Sequence, residues 1–233
     1  HDECREHFLN WYAYPLQYPG HKIRSAIILQ SDEFQLGKGS LFDLHRDMLG
    51  HHNTRKIELA EALDKGKGYL INKQLVLIDE AKASGSWSEK SMFVNTLKTI
   101  ITEGTAGVRQ LYKEYTEQDT CTNYWINTNF RDAFPLPYNE ARYFVYFSSA
   151  KRNERLLEEY HQERLHGDLN AGVLAQLMDR DISKFNVATA TRDSSTEYPF
   201  LYKNHNPYWM CAVIDKISER LCNSFDLHVL GTL

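Results

Sequence analysis

No stretch of the chain approaches the roughly 20 apolar residues needed to cross a bilayer. No secretory pattern opens it either, because acidic and basic residues come first. Membrane spanning is thereby excluded, and a cytoplasmic location is the expectation. Cysteine is scarce. Cys4, Cys121, Cys211 and Cys222 form no C-x-x-C pair and no Cys/His cluster of zinc spacing, so free thiols in a reducing compartment are expected. His51-His52 lacks a third ligand nearby and reads as a polar loop. There is no excess of positive charge: the formal net charge is −4. That argues against a stand-alone DNA-binding domain with a broad basic face. It leaves room for a ring in which each subunit gives one or two basic loops to a shared channel. Internal repeats and low-complexity segments are also missing. The first residue is His1 rather than Met, which makes a piece excised from a longer protein the expectation.

What is present is the material of one α/β domain. At 233 residues, 42% of them hydrophobic, the chain can bury a sizeable core. Phe8, Leu9, Trp11 and Tyr12 at helical spacing predict a helix that stops before Pro15. Ser25–Leu29 (SAIIL) and Gln74–Ile78 (QLVLI) are nearly continuous apolar runs that suit buried parallel strands. Tyr124–Asn127 and Tyr143–Phe147 predict two more strands. Helices are predicted from Leu41 to before Gly50, over Ile57–Leu63, Ser86–Ile101, Glu154–Leu165 and Leu169–Met178, and over Pro207–Cys222. Val108–Tyr115 alternates, as a strand or half a hairpin would. Strands alternating with helices imply a mostly parallel sheet covered on both faces.

Three polar segments follow predicted strands. Asp32–Gly39 (DEFQLGKG) is a departure from the phosphate-loop pattern G-x-x-x-x-G-K-[ST]: Gly37 and Lys38 are in place, Asp32 replaces the first glycine, and Gly39 pushes the hydroxyl to Ser40. In that pattern backbone N–H groups and the helix start cradle phosphates, the lysine reaches the β/γ oxygens, and the hydroxyl binds Mg²⁺. LVLIDE sets Asp79 and Glu80 at the carboxyl end of a strand, where ligands sit in open α/β sheets. An aspartate there can hold the Mg²⁺ shell, and a glutamate can polarise a lytic water. Asn129 ends WINTN, and an amide at that point can bond both a γ-phosphate and the attacking water. Arg142 enters the fourth strand, placed to reach a neighbouring subunit's nucleotide as an arginine finger. Read without the motifs, these are a Gly-Lys turn, two solvated acids, a turn-capping Asn and a surface Arg.

Taken in order, FLNWYAYPLQYPGHK, SDEFQLGKGSLF, LVLIDEA, WINTN, PYNEARYFVYF and DRDISKFNVATA resemble the superfamily 3 AAA+ helicase domains of phage and plasmid replication proteins. Those include poxvirus-type primase–helicases and phage primase-polymerases, and the likeness runs from Phe8 to Asn186. It implies an AAA+-like P-loop ATPase fold. A helical lead-in would span residues 1–22, the ATPase core 23–150, and a mostly helical segment 151–233. It implies ATP and Mg²⁺ bound by Gly37, Lys38, Gly39 and Ser40, with Asp79 at the metal. Glu80, Asn129 and Arg142 would carry catalysis, Arg142 in trans within a homo-oligomeric ring, expected to be a hexamer. A pore hairpin in Thr102–Thr120 would contact single-stranded DNA, with Lys113 favoured and Arg109 the second candidate, the latter also readable as structural or as facing the nucleotide. The implied function is an ATP-dependent replicative helicase motor, part of a larger primase–helicase, in a host bacterium's cytoplasm. Gln35 and Leu36 stand where small residues are usual, and Ala141 where some relatives carry a second arginine. Two other readings stay open: a nucleotide-binding ring scaffold that hydrolyses little and supports a primase or polymerase, and a nucleotide switch with no DNA role.

Overall fold

The computed structural model describes residues 2–64, 66–81, 87–109, 114–130, 133, 136, 140–148 and 151–188. Seven strands and six α-helices are formed among these. The strands are β1 (Ala26–Ser31), β2 (Thr54–Ile57), β3 (Leu75–Ile78), β4 (Thr105–Val108), β5 (Thr116–Asp119), β6 (Asn123–Thr128) and β7 (Tyr143–Ser148). The helices are α1 (Asp2–Gln17), α2 (Lys38–Leu49), α3 (Leu59–Ala62), α4 (Trp87–Thr102), α5 (Glu154–His166) and α6 (Leu169–Met178).

Five strands make one parallel sheet in the order β2-β3-β6-β1-β7. This is the expected α/β fold, a mostly parallel central sheet flanked by helices. Successive side chains of a strand point to opposite faces, and the two cores follow that rule. Ile27, Leu29, Leu75, Leu77, Trp125, Phe144 and Tyr146 face α1, α2 and α6. Ala26, Ile28, Val76, Ile78, Tyr124 and Ile126 face α4 and the hairpin. Strands buried on both faces read as continuous apolar runs, which is why β1, β3, β6 and β7 are visible in the sequence.

Several elements differ from expectation. The first helix runs through Pro15 to Gln17. Gln17 Nε2 donates to the carbonyls of Leu177 (2.6 Å) and Arg180 (2.8 Å), which fastens the last turn and offsets the one N–H that proline lacks. The short helix expected over Ile57–Leu63 is present as the four-residue α3, and the edge strand β2 before it was not expected. Arg55 and Lys56 are exposed in β2 and hide its strand character. The strands near the alternating segment Val108–Tyr115 flank it instead: β4 ends at Val108 and β5 begins at Thr116, an antiparallel pair separate from the main sheet, and residues 110–113 lie outside the described residues. The helix expected over Pro207–Cys222 lies outside the described residues. No helix among those described is long and apolar enough to cross a membrane.

Candidate functional site

The strand order decides what meets at the carboxyl edge. β6 lies between β1 and β3, so Asn129, the loop after β1 and the Asp79-Glu80 pair emerge side by side. A cavity of about 680 Å³ opens there, and Gly37, Lys38, Gly39, Ser40, Asp79, Glu80 and Asn129 all line it.

Helix α2 begins at Lys38 with no side chain capping it. The first N–H groups of a helix have no partner within it and favour an anion. Gly37 has φ 90°, and a Cβ there would come 3.0 Å from Leu157 Cδ2. Its backbone conformation favours glycine, and a larger residue would also make the Leu157 methyl give way. Lys38 is only 7% exposed. Its Nζ donates to Asn129 Oδ1 (2.5 Å) and to Ser31 Oγ. Ser31 Oγ in turn donates to the Glu33 carbonyl (2.7 Å). Burial pushes the Lys38 ammonium down to about 8, against the pull of the Asp79 charge. With Oδ1 turned to the lysine, the Asn129 amide still has its NH₂ donors to offer a ligand.

Asp79 is held from two sides. Lys56 Nζ of β2 lies 2.5 Å from one carboxylate oxygen, and Asn127 Nδ2 donates to the other at 3.2 Å. Asn127 is itself fixed by Trp125 Nε1, which donates to its Oδ1 (2.9 Å). Glu80 is exposed and has φ 49°, a left-handed conformation that costs a non-glycine residue on the order of 1 kcal/mol. Gln35, which also lines the cavity, has φ 58°.

Two proposed site residues lie elsewhere. Arg142 sits at the amino end of β7, its carbonyl accepting from Ala26 N (2.7 Å). The parallel sheet therefore puts it about 20 Å, one strand length, from its own phosphate loop. Its Nη1 lies 2.9 Å from Glu140 Oε1 and 3.1 Å from Oε2, and Lys98 Nζ adds a contact at 2.9 Å. Arg109 is exposed at the end of β4, where its N–H donates to the Gly66 carbonyl (2.7 Å). It does not line the cavity. Lys113 lies outside the described residues.

Sequence reasoning missed Arg152, Lys56 and Asn127. Arg152 lines the cavity, its N–H donating to Glu33 Oε2 (3.1 Å) and its Nη1 to Gln35 Oε1. Asn127 was findable, since two residues before Asn129 on a strand it must point to the same face. The other two depend on strand neighbours that no local pattern reveals.

The comparisons agree with this fold. Residues 29–142 match a family of unknown function, DUF5906. Over 123 residues the chain is 30% identical to a DNA primase-polymerase of Nitratiruptor phage NrS-1, covering 52% of this chain and 17% of that protein. Two apo structures of the NrS-1 C-terminal region superpose with TM-scores of 0.71 and 0.69 at 23% identity. They cover 82% and 83% of this chain and 45% and 46% of theirs. The chain thus spans less than half of the solved region and about a sixth of the phage protein.

Proposed function

We propose that this chain is a nucleotide-hydrolysing motor module of superfamily 3 type, acting in DNA replication. The observation that carries the reading is the meeting of Lys38, Asp79, Glu80 and Asn129 at one cavity on three neighbouring parallel strands. The likeness to a phage primase-polymerase supports a replication role.

In this reading ATP lays its β- and γ-phosphates against the start of α2. Lys38 leaves Ser31 and Asn129 for the phosphate oxygens, exchanging neutral partners for charged ones. The Asn129 amide donates to the γ-phosphate, and Glu80 takes a hydrogen bond from the attacking water and polarises it. Among the described residues no three His, Cys, Asp or Glu side chains form a metal cage. The donor set still suits Mg²⁺, which needs only one or two protein oxygens when phosphates supply the rest. The Ser40 hydroxyl and Asp79 would hold it. When bound, the ion supplies neutralisation of the charge that builds on the phosphate oxygens. Asp79 would reach it with its orientation set by Asn127 and Lys56, as carboxylate ligands require.

Arg142 faces away from its own cavity, so a catalytic role for it requires a second copy in a ring, expected to be a hexamer. Single-stranded DNA would pass the β4-β5 hairpin, touching Arg109 and Lys113. Glu114, Glu117 and Asp119 flank them, so phosphate contacts per subunit are few and the salt dependence of binding is shallow. The linked primase or polymerase would lie in the remainder of a longer chain.

Measuring ATP hydrolysis with and without single-stranded DNA, for the chain and for Lys38→Ala, tests the reading. Hydrolysis that DNA stimulates and Lys38→Ala abolishes is the expected result. Hydrolysis unchanged in the variant would move the site elsewhere. One observation favours the scaffold alternative: Gln35 is left-handed and bonded to Arg152 at the cavity, in a loop where small residues are usual. Tight nucleotide binding with negligible turnover would select it.

A further inference from the structure

The strand order also gives the cavity a direction. Counted from the β3 side, the carboxyl edge presents Asp79 and Glu80, then Asn129, then the loop after β1, and finally the chain leaving β7. β7 pairs with β1 in register through Ser31 and Ser148. Arg152, four residues past Ser148, meets the loop after β1 through Glu33 and Gln35 and lines the same cavity. Strands about 4.8 Å apart put roughly 14 Å between the two ends of this row, enough to lay a nucleoside triphosphate across it.

The guanidinium at that far end is loosely held. Its Nη1 bonds a neutral side-chain amide, Gln35 Oε1, and its Nε stands 3.7 Å from Glu154 Oε1. Arg142 offers the contrast, with both oxygens of Glu140 on its Nη1. An amide partner is readily exchanged for a phosphate, whose oxygens match the guanidinium fork and carry charge. Gln35 adopts its left-handed backbone where this bond is made.

We infer that Arg152 binds the α-phosphate of the nucleotide in cis, and that Gln35 holds it in place before the nucleotide arrives. This rests on the phosphate-site reading above, because it takes the γ-phosphate to lie over Asn129 and Glu80. Arg152 then serves affinity for any nucleoside di- or triphosphate and contributes nothing to cleavage of the γ-phosphate.

Calorimetric titration of the chain, Arg152→Ala, Arg152→Lys, Gln35→Ala and Lys38→Ala with Mg-ATP, Mg-ADP and pyrophosphate tests this. Arg152→Ala should weaken ATP and ADP alike by about ten- to hundred-fold, the range for a hydrogen bond to a charged group. Pyrophosphate, held at Lys38, should bind as before. Arg152→Lys should recover part of the loss, and Gln35→Ala should bind ATP at least as tightly as the parent chain. KM for ATP should rise in Arg152→Ala with kcat unchanged. An equal loss for pyrophosphate would mean a distorted loop and overturn the assignment, as would a loss confined to ATP or no loss. If the parent chain binds none of the three, the phosphate-site reading fails as well. If Lys38→Ala alone loses binding, that reading stands and the Arg152 assignment falls.

Discussion

The two edges of the central sheet are built to opposite standards. At the amino edge, charged groups have fixed charged partners, although Ser25 Oγ and the Tyr143 hydroxyl are buried without a hydrogen-bond partner. Glu140, 6% exposed, takes Lys98 and Arg142 together, Trp11 Nε1 donates to the Ser25 carbonyl (3.0 Å), and Asn123 Oδ1 accepts from Ile23 N (2.7 Å). At the carboxyl edge, Lys38 is held by neutral oxygens, Arg152 bonds the Gln35 amide with Glu154 at 3.7 Å, and Gln35 and Glu80 keep left-handed backbones. One edge is finished by folding alone. The other holds cations whose partners a phosphate can replace, and backbone strain of the kind found where ligands act.

The sharpest way to break this contrast is to ask whether the amino edge of one copy completes the carboxyl edge of another. An arginine finger supplied in trans is worth about 10³–10⁵ in turnover. Arg142→Lys keeps a cation on Glu140 but loses the fork. It should bind ATP normally and hydrolyse it slower by that order. Mixing it with Glu80→Gln subunits should restore part of the activity, through interfaces that pair an intact Glu80 with an intact Arg142. No recovery in subunits shown to co-assemble would confine Arg142 to its structural ion pair.

Next in size is the Glu140 cluster at the amino edge. Glu140→Ala leaves Lys98 without its carboxylate and should cost about 2–4 kcal/mol in stability, since breaking a buried pair strands its partner. For a chain this long, that lowers Tm by about 2–4 °C per kcal/mol. Burial raises the Glu140 carboxyl, but the Lys98 hydrogen bond and the Arg142 backbone N–H and charge outweigh it and leave the carboxyl below its usual range. Stability from Glu140 is therefore present above the ordinary 4.5 and lost as pH falls below it. Thermal melts across that window should show a loss that Glu140→Ala lacks.

A gentler probe is the protonation of Lys38. Its folded-state value of about 8 lies below the ordinary 10.5. Between those two values the unfolded chain binds a proton that the folded chain has released, so stability from this group rises with pH there. Nucleotide affinity should move the opposite way. Above about pH 8 the free site must take up a proton to present a cation, and affinity should fall by up to about tenfold per pH unit. Titrations at pH 7, 8 and 9 would reveal this, and a flat profile would remove Lys38 from the phosphates. The smallest effect is expected at Gln35→Gly, which should raise stability by about 0.5–1 kcal/mol if the strain read from its φ is real. An unchanged Tm would discount that strain.

How far the sequence foretold this contrast depended on the kind of signal. β1, β3, β6 and β7 were legible because strands covered on both faces leave unbroken apolar runs. The residues at their carboxyl ends could be named for the same reason. β2 was not, because Arg55 and Lys56 break its pattern, and missing it hid Lys56 as the cation on Asp79. Arg152 carries no motif and reaches the phosphate loop only because β7 pairs with β1. The helix through Pro15 depends on Gln17 reaching the far end of α6. The misses of Arg152 and of the helix through Pro15 rest on contacts between residues distant in the chain, which local periodicity does not encode.

That same distance governs how the molecule is made. Ile27 of β1 pairs with Trp125 on one side and Phe144 on the other. The strand that opens the sheet is therefore without neighbours until both late strands have been synthesised. Long-range parallel pairing is slow, because loop closure comes before any reward from contact. During translation β2 and β3 can pair early, while the apolar run AIILQS waits exposed. Shortening the chain anywhere before β7 would leave that run open to aggregation, so the cavity that gathers Lys38 and Asn129 arises late in synthesis, as the sheet closes around β1.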